Sequence, residues 1–161
     1  MRYVQAVVLA AGEGTRMRPL TFTRPKVMLP IANRPILEHL FISLKKAGIS
    51  RVVLVVGYRD ETIRSYFGSE WNGIEIEYAN QRKQLGTADA LRAASHLLEE
   101  RFLMMNGDAI VSGSDIEKIA GQRDFALAVK EVPNPEEFGV VECDGRLVKD
   151  IVEKPEKPRS N

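Results

Sequence analysis

The chain has 161 residues, 44% hydrophobic and 28% charged, a balance that fits one ordinary globular domain with a buried core and excludes disordered, collagen-like and mucin-like classes. Its 23 Lys and Arg nearly cancel 22 Asp and Glu, so no strong field argues for nucleic acid or a membrane surface, and any anionic ligand must be held locally. The single cysteine, Cys143, cannot form an internal disulfide and has no metal-finger spacing with His39 and His96, so a reducing cytoplasm is the expected location.

The first apolar run, Val4 to Ala11, is too short to cross a membrane and lacks a long basic segment before it, so the N-terminus reads as mature protein. Within it, Gln5 to Ala11 is unbroken until Gly12, the pattern of a strand buried on both faces of a parallel sheet. A Gly/Pro/Thr-rich loop runs from Gly12 to about Arg34. Pro35 suits the first turn of a helix, and Ile36, Leu37, Leu40, Phe41, Leu44 and Ala47 recur at helical spacing until Gly48. Arg51 to Gly57 is a second buried strand.

The alternation continues with a helix from about Asp60 to Phe67 and a strand from Ile74 to Ala79, whose Ile/Glu alternation implies one exposed face. Trp71 beside Asn72-Gly73 reads as packing at a turn. A helix from about Thr87 to Leu98 leads to a strand from Phe102 to Met105. Ser114 to Ala120 is a short helix and Phe125 to Val129 a strand. Val140 to Cys143 and Leu147 to Val152 form a hairpin around Asp144-Gly145. Strands alternating with helices predict an α/β fold with a mainly parallel, doubly wound sheet. The charged, proline-rich end, Glu153 to Asn161, reads as a connecting loop, so the chain is expected to be the N-terminal part of a longer, C-terminally truncated catalytic domain.

In an open parallel sheet the ligand crevice lies at the carboxyl ends of the strands, and three unusual segments fall there. The first, Leu9-Ala-Ala-Gly12-Glu-Gly14-Thr15-Arg16-Met-Arg18-Pro19-Leu20-Thr21, follows the opening strand. Its glycines let backbone N–H groups approach a phosphate, and Thr15 and Arg16 add a hydroxyl and a forked cation. It is neither a Walker A loop nor a dinucleotide fingerprint, since Met17 stands where a third glycine belongs. An NAD-type dehydrogenase is therefore disfavoured.

The second segment, Asn80-Gln81-Arg82-Lys83-Gln84-Leu85-Gly86-Thr87-Ala88-Asp89-Ala90, joins a strand to a helix. A glutamine amide can pair with the imide edge of a pyrimidine, and a bare glycine backbone can do likewise; the plainer reading is a glycine turn before a helix capped by Thr87. The third, Met104-Met105-Asn106-Gly107-Asp108, puts a carboxylate just past a buried strand, a hard oxygen ligand suited to Mg²⁺.

The first segment, continued by Arg24-Pro-Lys26-Val-Met-Leu-Pro30 and Asn33-Arg-Pro35, resembles the signature of the sugar-1-phosphate nucleotidylyltransferases. The Gln81 to Thr87 and Gly107-Asp108 segments resemble later elements of that family, as do Glu137-Phe138-Gly139-Val140-Val141 and Val152-Glu153-Lys154-Pro155. The resemblance implies a three-layer Rossmann-like fold. It implies a glycine loop of Leu9, Ala11, Gly12, Gly14, Thr15 and Arg16 around a triphosphate, with Arg16 and Lys26 as the catalytic cations and Lys26 bridging the phosphates of the two substrates. Gln81, Gly86 and Thr87 would meet the base, Asp108 would hold Mg²⁺, and Gly139, Glu153 and Lys154 would meet the sugar and its phosphate.

The reaction so implied joins a nucleoside triphosphate to a sugar 1-phosphate, with release of pyrophosphate. It needs positioning and charge neutralisation more than a protein base, because a phosphate monoester with a second pKa of about 6 is already ionised near neutral pH. Uracil or thymine is the expected base, while guanine, cytosine and several hexoses stay open. A non-catalytic nucleotide-sugar-binding module on the same fold and a mannose-1-phosphate guanylyltransferase are the alternatives. The expected partners are the two substrates, with neither nucleic acid nor membrane, and the full-length protein is expected to be a homo-oligomer.

Overall fold

A computed structural model describes residues 5–122 and 124–161, which form two compact units on either side of residue 123. Val4, the start of the first apolar run, lies outside the described residues. In the larger unit the chain forms β1 (Gln5–Leu9), β2 (Pro30–Ile31), β3 (Arg34–Pro35), α1 (Ile36–Lys46), β4 (Arg51–Val56), α2 (Asp60–Phe67), β5 (Glu70–Trp71), β6 (Ile74–Asn80), α3 (Thr87–Ala94), β7 (Phe102–Asn106) and α4 (Gly113–Ala120). The smaller unit contains β8 (Gly139–Asp144) and β9 (Leu147–Glu153).

The central sheet has the order β5-β6-β4-β1-β7. β1 pairs in parallel with both β4 and β7, β4 pairs in parallel with β6, and only β5 runs antiparallel. The chain thus winds outward from β1 through β4 to β6, then crosses back to lay β7 on the other side of β1. That reversal makes the carboxyl end of β1 the switch point of the sheet, the place where ligands of open α/β sheets bind.

Side chains alternate between the two faces of each strand, and the two cores follow that period. Ala6, Val8, Val52, Leu54, Val56, Ile74 and Ile76 pack with Leu37, Leu40, Phe41 and Leu44 of α1, Ile63 and Phe67 of α2, and Ile116 of α4. Val7, Val53, Val55 and Ala79 instead meet Ala90 and Ala94 of α3. The result is the expected three-layer, doubly wound architecture, with three helices on one face and α3 on the other. Buried polar groups are paired: Gln5, 1% exposed, donates from Nε2 to Leu97 O at 2.9 Å and accepts from Glu99 N–H at 2.9 Å, which ties β1 to the segment leaving α3.

Several expected boundaries shift for local reasons. Pro35 is not in the first helical turn but just before it, in extended backbone, because it also pairs with Pro30 in the β2–β3 ribbon. α3 stops at Ala94 and tightens into a 3₁₀ turn over Ser95–Leu97. Asn72-Gly73 forms a two-residue hairpin turn with positive φ at both positions, and β5 precedes it. The strand expected from Phe125 to Val129 does not form: among the described residues it has no strand partner, and Phe125, Leu127 and Val129 are exposed. An apolar run becomes a strand only when a neighbouring edge takes its hydrogen bonds.

In the smaller unit the expected hairpin is present, turning at Gly145-Arg146, with a register irregularity between Glu142 and Cys143. The last residues, expected to be a connecting loop, lie along the hairpin: Ser160 Oγ donates to Val141 O at 2.7 Å, and Val132 N–H donates to Asn161 O at 3.2 Å.

Candidate functional site

The loop after β1 is built to stay open. Gly107 N–H donates to Leu9 O at 2.8 Å and Ala10 N–H to Val55 O at 2.8 Å, so the strand end is held on both sides before the chain turns at Gly12. Gly14 adopts φ 71° and ψ 42°, which an L-residue with a side chain adopts at a cost, and Thr15–Met17 follow as a 3₁₀ turn with Thr15 and Arg16 exposed. Thr21, 1% exposed, donates its hydroxyl to Gly14 O at 3.0 Å, and Tyr58 Oη donates to Thr21 O at 3.2 Å and Phe22 O at 3.1 Å. An ion pair between Glu13 and Arg18 holds the Arg18 guanidinium still more firmly protonated than usual, through its hydrogen bond and charge.

Gly14 also leaves room for the Lys26 side chain. A Cβ placed there would lie 2.8 Å from Lys26 Cβ, in a left-handed conformation as well. Gly14→Val is therefore expected to cost roughly 1–3 kcal/mol and to displace Lys26. Urea unfolding checks the first expectation, and a loss of triphosphate affinity checks the second. Wild-type behaviour in both would show that the loop has no need of a bare backbone.

Lys26 lies in a 3₁₀ turn, Lys26–Met28, whose Val27 and Met28 are buried and anchor it. Its Nζ donates to Asp108 Oδ2 at 2.5 Å across a separation of 82 residues, with the two side chains 40% and 34% exposed. Asp108 lies two residues past the end of β7. Gly107 before it is tightly set, since a Cβ there would meet Leu9 O at 3.1 Å and Val27 Cγ1 at 3.2 Å. The first and third segments therefore converge at the reversal of the sheet.

The second segment joins them through Gln84, whose Nε2 donates to Ala11 O at 2.9 Å. Gln81, 7% exposed at the end of β6, donates from Nε2 to Asp89 Oδ2 at 3.0 Å and to Gly86 O at 3.2 Å. Asp89 Oδ1 accepts from Arg92 Nη2 at 2.6 Å, and the hydrogen bonds from Gln81 and then Arg92 hold the Asp89 carboxyl below its usual range. Beside Gln81 lies an open cavity of about 370 Å³, lined also by Arg82, Lys83, Leu85 and Asp89. Gly86, at φ 106° and ψ −178°, is the residue that caps α3, so Thr87 begins the helix rather than capping it.

Gly139, Glu153 and Lys154 belong to the smaller unit. Gly139 stands opposite Glu153 in the hairpin register, with Glu153 Oε2 3.1 Å from where a Gly139 Cβ would be, and Lys154 N–H donates to Phe138 O at 2.9 Å. Sequence reasoning assigned no role to Thr21, Tyr58, Gln84 or Asp89. Thr21, Gln84 and Asp89 stand inside the quoted segments and Tyr58 outside them, and each acts through a contact made in the fold. Another cavity, of about 390 Å³ between Arg24, Asn33, Thr62 and Tyr66, contains none of the expected site residues.

Residues 5–161 match the family described as Nucleotidyl transferase. The chain is 42% identical to a UTP–glucose-1-phosphate uridylyltransferase, AglF, of Haloferax volcanii, over 98% of its own length and 68% of that protein. It is 41% identical to a bifunctional protein GlmU of Methanococcus maripaludis, over 96% of its own length and 36% of that protein, so it spans only about a third of that longer relative. A crystal structure from Bacillus anthracis, described as a candidate glucose-1-phosphate thymidylyltransferase, superposes with a TM-score of 0.87 at 29% identity, covering 98% of this chain and 67% of that one.

Proposed function

Since the chain belongs to the nucleotidyl transferase family, we propose that it is the nucleotide-binding part of a sugar-1-phosphate nucleotidylyltransferase that transfers a nucleoside monophosphate from UTP or dTTP to a sugar 1-phosphate. The observation that carries this reading is the meeting of Lys26 and Asp108 at 2.5 Å beside the glycine loop, at the point where the sheet reverses. The cation and the bare backbone amides suit anionic phosphates, and the carboxylate suits the metal ion that accompanies them.

In the proposed reaction an oxygen of the sugar 1-phosphate attacks the α-phosphorus, the bond from that phosphorus to the β-bridging oxygen breaks, and pyrophosphate leaves. No protein base is needed. The amides of Gly12 to Arg16 hold the phosphates. Arg16, exposed at the rim, and Lys26 offset charge that grows as the bond breaks. Binding requires Lys26 to exchange part of its bond to Asp108 for phosphate oxygens.

Asp108 fits Mg²⁺: it is a half-exposed hard-oxygen donor, and Mg²⁺ takes one or two carboxylates together with substrate phosphates and waters. Bound there, Mg²⁺ would supply charge neutralisation on the triphosphate. On the sugar side, the Glu153 carboxylate and the Gly139 backbone, paired across the hairpin, suit hydroxyl groups, and Lys154 suits the sugar phosphate. A cytoplasmic location fits, because the exposed free thiol of Cys143 suits a reducing compartment.

A thermal-shift panel of UTP, dTTP, GTP and CTP with Mg²⁺ tests the reading. A ligand at a hundred times its Kd stabilises the folded chain by about 2.7 kcal/mol, so UTP or dTTP is expected to raise Tm by several degrees. A rise with GTP alone would reassign the base. No rise with any triphosphate would remove the proposed function.

A further inference from the structure

The glycine loop starts at Ala11 and its far arm runs past Thr21 and Phe22, and one residue from a neighbouring strand end touches both arms. Tyr58 stands two residues past β4. Its N–H donates to Ala11 O at 3.4 Å, and Gly57 before it permits that approach, since a Cβ there would lie 3.1 Å from both Ala11 Cβ and Ala11 O. The Tyr58 hydroxyl has a single hydrogen, which is shared between Thr21 O at 3.2 Å and Phe22 O at 3.1 Å. The residue therefore spans the loop as a strut.

Thr21 passes the constraint on to Gly14. It is 1% exposed, and its hydroxyl donates to Gly14 O at 3.0 Å, while Met17 N–H donates to the same oxygen at 2.9 Å. A carbonyl oxygen has two lone pairs, and both are taken. In a planar trans peptide the N–H points opposite to the C=O, so fixing Gly14 O toward Thr21 and Met17 also fixes the Thr15 N–H on the other side. Thr15 is exposed, and among the described residues no hydrogen bond uses its N–H. Gly14 reaches φ 71° readily, but the freedom that lets it do so also means that it holds no one conformation by itself. We propose that Thr21, braced by Tyr58, is a positioning residue that holds the Gly14–Thr15 peptide with its N–H presented to the phosphates of the bound triphosphate. The inference rests on the proposed function, since it concerns the phosphates placed in that loop.

The plainer role for these two hydroxyls is to close the loop and stabilise the fold. That role lowers the melting point but leaves the affinity of the folded protein unchanged, whereas a positioning role weakens binding even when every molecule is folded. Calorimetric titration of the 161-residue chain with UTP and Mg²⁺, at a temperature where a melt shows each variant to be folded, separates the two.

Thr21→Val keeps the shape and removes the hydroxyl, and its Kd for UTP is expected to rise by about 10-fold, the scale of one hydrogen bond to a charged group. Thr21→Ser keeps the hydroxyl and is expected to stay within about two-fold of wild type. Tyr58→Phe removes the brace and is expected to raise Kd by about five-fold. Added to Thr21→Val, it is expected to change Kd by less than about two-fold further, because both act on one peptide. Should Thr21→Val fail to fold, Tyr58→Phe decides alone, since Tyr58 is only partly buried. Wild-type affinity in a folded Thr21→Val or Tyr58→Phe, a Thr21→Ser that loses as much as Thr21→Val, or losses that add in the double variant would overturn the inference and leave triphosphate binding standing. A wild type that binds no triphosphate would overturn the proposed function along with it.

Discussion

In the full-length enzyme, of which this chain is read as the nucleotide-binding part, Lys26→Ala is expected to lower the rate of pyrophosphate release by roughly 10²- to 10³-fold, the usual consequence of removing one group that stabilises charge developing in the transition state. The Lys26 ammonium is held 2.5 Å from Asp108 and, in the proposed site, exchanges part of that bond for phosphate oxygens. Both partners are partly exposed, at 40% and 34%, so the carboxylate left behind remains hydrated and the fold should survive. The assay is read beside a thermal melt. A folded variant with wild-type turnover would deny Lys26 its role, whereas a variant that only weakens substrate binding would move it from catalysis to recognition. Lys26→Arg restores the charge without the compact ammonium and is expected to recover only part of the rate.

Phe41→Ala should produce the largest loss of stability in the molecule, about 3–5 kcal/mol. Phe41 is fully buried, its ring centroid 4.7 Å from that of Phe67 and 5.7 Å, edge-on, from that of Trp71, so one side chain joins α1, α2 and the β5–β6 turn. Folded domains hold only about 5–15 kcal/mol in reserve, so truncation there removes a large share of it. Urea unfolding is expected to show a lower midpoint at nearly constant slope. A loss under about 1 kcal/mol would mean that the aromatic cluster collapses around the cavity, or carries less of the core than its burial implies.

The strands and helices of the larger unit were legible because burial there obeys simple periods. Ala6 and Val8 face one helical layer and Val7 the other, and the uninterrupted run in β1 reports that double burial directly. Phe125 to Val129 has a similar apolar composition, but a strand needs a partner edge, and composition does not report one. The β2–β3 ribbon escaped notice because its turn uses Ala32 and Asn33 at φ 49° and 64°, without the glycine that marks such turns in a sequence.

The site divides in the same way. Gly14, Lys26 and Asp108 could each be picked out from their motifs, but their convergence depends on a parallel crossover that spans 82 residues. The orientation of Gln81 was not legible, since residue type leaves both faces of the amide available. In the fold its Nε2 donates to Asp89 Oδ2 and Gly86 O, contacts made where Gly86, at φ 106°, leads the chain into α3. Motifs name the chemical groups, while long-range contacts decide which face each group presents.

The most direct measurement is diffraction from crystals soaked with UTP and Mg²⁺. The account predicts density for the triphosphate along the backbone of Gly12 to Arg16, with Lys26 turned from Asp108 toward a phosphate oxygen. An empty hollow at saturating nucleotide, or a triphosphate bound on another edge of the sheet, would contradict it.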